Sequence, residues 1–209
     1  ELYKEFRYIG IQYDSGLSVA RNIGCDIARE EAIPYCLITA DSIEFNESIK
    51  NLTFILSALE QKTFDLIGLN LLNRRFGWEA SINLVEGKYF ELDFIDKTLH
   101  KNDLENGQFV IHKCEIVRNF FIASTSSLRE VEWDDNLKMA EHEDFFYRYK
   151  LAGKKVGWTD ICVGNYIGVR NEEYGKIRNT NWNKYTKVLK EKYGITGWVN
   201  YINLERAKE

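Results

Sequence analysis

Glu141, Glu143 and Asp144 fall within four consecutive positions of the stretch MAEHEDFFYR, with His142 among them and Phe145-Phe146 directly after. Acids in the first turn of a helix are favoured by the helix dipole, by roughly 0.3–1 kcal/mol each. That accounts for one or two of the acids but not for the phenylalanines. Those rings must enter the core, and they hold the start of the helix against buried surface. A carboxylate kept there is partly desolvated, which raises its pKa and makes it a better general base. Glu141 and Asp144, three positions apart, share a helix face.

Two further stretches carry usable side chains. GLSVARN (Gly16 to Asn22) sets Arg21 and Asn22 in the first turns of a helix. The forked donors of Arg21 suit phosphate oxygens; the alternative is a surface arginine on a capped helix. YCLITADSIEF (Tyr35 to Phe45) is an apolar run broken by Asp41-Ser42. A carboxylate there suits a metal or a ribose hydroxyl, or else the pair is a turn that caps the next element. In open α/β sheets ligands sit outside the carboxyl ends of strands, where both stretches are expected.

The elements that must position these groups are read from periodicity. Arg7 to Tyr13 alternates and predicts a strand. Ser18 to Ala32 predicts a helix with Ser18 as N-cap and Val19, Ile23 and Ile27 on one face. Tyr35 to Ala40 reads as a buried central strand. Ile49, Leu52, Ile55, Leu56 and Leu59 have helical spacing, and Phe64 to Leu72 reads as another buried strand. Strand, helix, strand, helix, strand predicts an α/β fold with a mostly parallel central sheet flanked by helices. Further on come a hairpin around Glu86-Gly87, a strand over Cys114 to Thr125, and a helix stopped by Gly153. The chain then carries one or two strands in KVGWTDICVGNYIG and an amphipathic helix over Asn181 to Gly194. One domain over residues 1–209 is the simplest organisation.

Composition excludes several classes. With 44% hydrophobic and 29% charged residues the chain is a globular one. Its formal net charge of -4 argues against a nucleic-acid binder that works by neutralising phosphates. No apolar run reaches membrane-spanning length and no signal peptide is present, so the expected placement is cytoplasmic, with a truncated lumenal domain as the alternative. Cys25, Cys36, Cys114 and Cys162 form no C-x-x-C pair; they read as reduced, mostly buried thiols rather than zinc ligands. Neither G-x-x-x-x-G-K-[ST] nor G-x-G-x-x-G occurs, so a nucleotide-binding domain of another kind has no phosphate loop to support it. The chain starts at Glu1 without a methionine, which suggests a piece of something longer.

Taken in order, GLSVARN, YCLITADS and EHEDFF resemble the motifs of family-two inverting glycosyltransferases of the GT-A fold. Within that group the likeness is greatest to ganglioside-type β-1,4-N-acetylgalactosaminyltransferases, through QYDSGLSVARN, LEQKTFDLIG, RNFFIAST and EHEDFF, over Ile11 to Asn165. The resemblance implies a UDP-sugar donor, a glycan hydroxyl as acceptor, and inversion at the anomeric carbon. It implies Asp144 as catalytic base, with Glu143 beside it and Glu141 and His142 positioning the acceptor. It assigns Arg21, Asn22, Asp41 and Ser42 to the donor. The family's Asp-x-Asp metal acids fall here on Ala40 and Ser42, or after a one-residue shift on Thr39 and Asp41, and its late histidine falls on Asn165. A divalent cation (Mn or Mg) therefore has poor ligands. The leaving diphosphate would then fall to Arg170, Lys176 or Arg178. About ten residues precede Ile11, so the family's first nucleotide-binding strand is expected to be missing. Two outcomes are open: a transferase with weakened or no metal dependence, or a degenerate, non-catalytic domain that binds a glycan or a protein.

Overall fold

A computed structural model of the chain describes residues 7–71, 80–85, 88–94, 110–168 and 172–200. Residues 7–12 form no strand. Strand propensity reports the fit of side chains to a half-buried pleated surface, and here they face outward, Tyr8 being 76% and Tyr13 97% exposed. Helix α1 (Leu17–Glu30) comes next, entered through Gly16 at φ 90. A Cβ on Gly16 would lie 2.8 Å from Lys138 Cγ, so only glycine suits both this backbone angle and this approach. Ser18 is not the cap the sequence predicts. It is buried, and its hydroxyl donates to the Leu137 carbonyl at 2.6 Å.

Strands β1 (Tyr35–Ile38) and β2 (Ile43–Phe45), a 3-10 turn (Glu47–Asn51), helix α2 (Leu52–Glu60) and strand β3 (Leu66–Leu71) succeed it. Strands β4 (Ala80–Val85) and β5 (Tyr89–Phe94) then pair antiparallel, as a hairpin there requires. The Glu86-Gly87 turn itself lies outside the described residues. After β6 (Ile111–Cys114), β7 (Phe121–Ser124) and the short α3 (Thr125–Glu130) come α4 (Glu141–Leu151), the long β8 (Val156–Tyr166), α5 (Glu172–Tyr193) and β9 (Gly197–Asn200). The single strand expected over Cys114 to Thr125 is thus divided between the end of β6 and β7.

The main sheet has the order β1-β7-β3-β8-β2, with β6 also paired to β8. Strands β1, β3 and β8 share one direction, and the β3–β8 pair is parallel; β7, β2 and β6 run against them. The fold is mixed α/β, a sheet flanked by helices. One expectation fails: β1 lies at the edge of the described sheet, not its centre, and Leu37 is exposed. A short apolar run reads alike in both places because periodicity does not count neighbours. The small sheet β4-β5-β9 stands apart from this order.

Alternation along the strands builds a core on each face. Leu66, Phe121, Ala123, Val156 and Trp158 point to one core, completed by Phe145 and Phe146 of α4, Leu189 of α5 and Ile82 and Phe90 of the small sheet. Ile67, Leu69, Ile122, Ile161 and Val163 point to the other, which Ile55 and Leu59 of α2 cover. Gly68 sits where a Cβ would come within 2.7 Å of Val117, so the strand needs glycine for the loop to pack over it.

Candidate functional site

Helix α4 is fixed from its aromatic side. Phe145, Phe146 and Tyr149 are fully buried. The Phe145 ring stacks on Trp133 at 4.2 Å between centroids and 8° between planes. The His142 ring meets Phe146 edge-on at 5.1 Å. Ala140, immediately before the helix, takes φ 61, a left-handed angle unusual for a residue with a Cβ. Successive residues of a helix turn by about 100°. With the phenylalanines locked inward, the four preceding polar side chains are therefore aimed in different directions.

Glu141, His142 and Glu143 line a cavity of about 690 Å³. Its other walls are the 11–17 segment, Arg118 and Asn119, Lys138 and Met139, and Asn181, Trp182 and Tyr185 of α5. The Glu141 carboxylate accepts a hydrogen bond from Arg21 at 3.0 Å, and that guanidinium lies 5.4 Å above the Trp133 ring. Glu143 is 5% exposed. Burial pushes its carboxyl up to about 7 against the pull of its own backbone N–H, and the neighbouring Glu141 charge adds to the rise. His142 goes the other way: burial, then Arg21 and Arg118, push it down to about 3. The wall thus presents a neutral imidazole, a carboxylate committed to an arginine, and a carboxyl that gains and loses its proton near neutrality. A group of that last kind is suited to general-base work.

Asp144 is turned elsewhere. It is 0% exposed and does not line the cavity. One carboxylate oxygen meets Arg148 Nε at 2.8 Å and Nη2 at 2.7 Å. The other accepts from Tyr193 Oη at 2.8 Å and pairs with Lys192 Nζ at 2.7 Å. Lys192 also reaches Asp134 at 2.6 Å. Asp144 ties α4 to the end of α5, and the structure offers it no approach to a substrate in the cavity.

The donor residues expected from sequence are dispersed. Asn22 is already spent: its amide donates to the Trp133 carbonyl at 2.9 Å and to the Asp135 carboxylate at 2.8 Å, and its oxygen accepts from Trp133 N at 2.9 Å. Arg21 serves Glu141 rather than an open phosphate site. Asp41 and Ser42 form the turn between β1 and β2, with Asp41 exposed and neither residue lining the cavity. Register does bring Asn165 of β8 opposite Glu44 of β2, and Ile167 N donates to the Ser42 carbonyl at 2.8 Å. The metal positions of the resembling family are therefore adjacent, but Ala40 has no side-chain donor atom and Ser42 and Asn165 bring no charge. This set does not fit a divalent cation. Among the described residues no group of three or more His, Cys, Asp or Glu is placed to hold one. Of the cations considered for a diphosphate, Arg170 and the Arg178 side chain lie outside the described residues, and Lys176 is exposed on α5.

Sequence reasoning missed Arg118, Asn119, Trp182 and Tyr185 as cavity residues. The Asn119 side-chain oxygen is buried there and accepts no hydrogen bond among the described residues. The usable signal was the polar pair Arg118-Asn119 directly before the apolar run FFIA, since polar groups at the mouth of a buried strand mark its open end.

No family model matches the chain, and no curated protein matches it. Among solved structures it is similar to the crystal structure of S. aureus TarS 1-349, with a TM-score of 0.47 and 14% sequence identity. The match covers 74% of this chain and 41% of that one, so the chain spans less than half the length of that neighbour. No described helix is long and apolar enough to cross a membrane.

Proposed function

We propose that the chain transfers a sugar from a nucleotide-sugar to an acceptor hydroxyl in the cavity at the start of α4, with Glu143 as the general base. The observation that carries this reading is a buried carboxyl, its pKa raised to about 7, in the wall of a cavity of about 690 Å³. The ordered motifs ARN, ADS and EHEDFF supply the reaction class. The ionised Glu143 takes the acceptor proton as that oxygen attacks the anomeric carbon. The diphosphate leaves from the opposite face, so configuration inverts. His142, held neutral, can donate one hydrogen bond and accept another; with Glu141 fixed by Arg21 it orients the acceptor. No step runs through a metal. Arg118 and Lys138, both on the cavity wall, are the cations nearest to hand for the leaving diphosphate. Lys138 is held at the cavity wall by its pairing with Asp14 at 2.8 Å. The donor in this reading is a UDP-sugar, GalNAc or another hexose, and the acceptor a glycan.

The test is calorimetry with UDP and a panel of UDP-sugars, with manganese and with chelator, then turnover in the wild type and in Glu143→Gln. Donor binding that survives chelator, and turnover that Glu143→Gln removes, are the expected results. Turnover that persists in Glu143→Gln eliminates the proposed base. A second reading is favoured by the committed side chain of Asn22 and the solvated turn at Asp41: a module that binds a glycan without transferring to it. The cavity offers that reading exposed rings of Tyr13 and Trp182, amphipathic faces suited to a sugar. Glycan binding with no turnover of any nucleotide-sugar selects it.

A further inference from the structure

Asn119 stands on the cavity wall beside Arg118 and takes no part in the steps assigned to Glu143, His142 and Glu141. Its position is rigid. Val117 before it and Phe120 after it are fully buried, and Val117 packs over Gly68. Phe120 N donates to the Arg118 carbonyl at 2.6 Å, which closes a three-residue turn with Asn119 in the middle. Phe121, two residues on, stacks on Phe145 and meets Phe146 edge-on. The segment that carries Asn119 and the helix that carries Glu143 are therefore locked ring to ring. Within this fixed frame the Asn119 amide oxygen is buried, and no donor among the described residues reaches it. A buried acceptor without a partner is costly to keep and calls for a reason. The amide turns easily about its last side-chain bond, so a small rotation aims the oxygen into the cavity.

We propose that Asn119 selects the transferred sugar, its amide oxygen accepting a hydrogen bond from the hydroxyl or amide N–H on the carbon next to the anomeric centre. The assignment rests on the sugar-transfer reading. There Arg118 faces the leaving diphosphate and Glu143 stands at the opposite face of the anomeric carbon. Asn119 is the chain neighbour of the first and is locked to the second, so the sugar atoms within its reach are those beside the scissile bond. Of these only the C2 substituent can donate: the anomeric carbon carries the leaving oxygen, and the ring oxygen only accepts. Discrimination comes from cost rather than attraction. A sugar without a donor at C2 leaves the buried oxygen unpaired, and sites of this kind reject such analogues strongly. A 2-hydroxyl and a 2-acetamido group both satisfy it, so Asn119 admits either and excludes 2-deoxy sugars.

The experiment is calorimetry with UDP, UDP-N-acetylgalactosamine, UDP-galactose and UDP-2-deoxygalactose, on the wild type and on Asn119→Ala. In the wild type the 2-deoxy nucleotide should bind about 10–100-fold more weakly than the tighter of the other two sugar nucleotides. In Asn119→Ala that difference should vanish, which a merely structural asparagine would not bring about. A 2-deoxy nucleotide that binds the wild type as well as the tighter of the two overturns the proposal and leaves the transfer reading standing. This comparison needs only the unsubstituted chain, so it decides the matter even if Asn119→Ala does not fold. A difference that persists in folded Asn119→Ala overturns the proposal as well. If neither UDP nor any of the three sugar nucleotides binds the wild type, the transfer reading fails and the proposal falls with it.

Discussion

The start of α4 and the turn after β1 are both short acidic stretches where a regular element meets a loop, and they end in opposite states. At Asp41-Ser42 the chain turns in water, and its polar atoms serve the turn: Ile43 N donates to the Ala40 carbonyl, and the Ser42 carbonyl accepts from Ile167 N. At Glu141 to Asp144 the adjoining phenylalanines drag the acids below the surface. There each must be neutralised, paired or re-protonated, because a buried bare charge is expensive. The lesson is that the aromatic neighbours, not the acids themselves, separate a reactive stretch from a solvated one. The contrast is repeated one residue apart within α4. Glu143 is left with a movable proton, whereas Asp144 is consumed by Arg148, Lys192 and Tyr193.

Substitutions test this contrast, starting with the largest effect. Glu143→Gln should lower kcat by about 10²–10⁴, the usual share of a general base. The wild-type rate should rise with pH through about 7, and a pH–rate profile checks both. Stability carries the same signature. Glu143 is raised above its ordinary value of 4.5, so the stability linked to its protonated form is complete below about 4.5 and is lost as pH rises through about 7. The loss is of the order of 3 kcal/mol. Denaturant unfolding at pH 5 and pH 8 should therefore show Glu143→Gln gaining on the wild type only at the higher pH.

Asp144→Asn comes next. Removing one partner of a buried ion pair costs about 3–5 kcal/mol. Since Arg148 and Lys192 keep 28% and 31% exposure, the lower end applies. Whatever folds should keep turning over. A folded Asp144→Asn chain without activity would return the role of base to Asp144 and break the comparison. Asn22→Ala, which strips the hydrogen bonds to the backbone of Trp133, should cost about 1–3 kcal/mol in urea unfolding. Asp41→Asn should do least: within about 0.5 kcal/mol in stability, with turnover and its response to manganese unchanged.

The helices, the apolar strands and the burial of Phe145 and Phe146 were legible in the sequence because periodicity and aromatic content report burial directly. The acids at the start of α4 were legible for the same reason. The direction of each acid was not. Glu143 and Asp144 differ by one helical step, and the partners that claim Asp144 come partly from α5, 48 and 49 positions further along the chain. Asn22 was misread because its partner, the backbone at Trp133, has no sequence signal at all. Residues 7–12 and β1 were misassigned because alternation and apolarity describe a strand's faces and not whether another strand lies beside it.

Ala140 has a wider consequence. Its left-handed backbone sets the angular phase at which α4 begins. A residue inserted or deleted further on, between the acids at its start and Phe145, would rotate the helix start by about 100° against the locked phenylalanines. Reactive and anchoring acids would then be exchanged without any change in composition. Among relatives of this chain, gaps at this point should therefore be much rarer than substitutions, and a chain that carries one should have lost its chemistry before its fold.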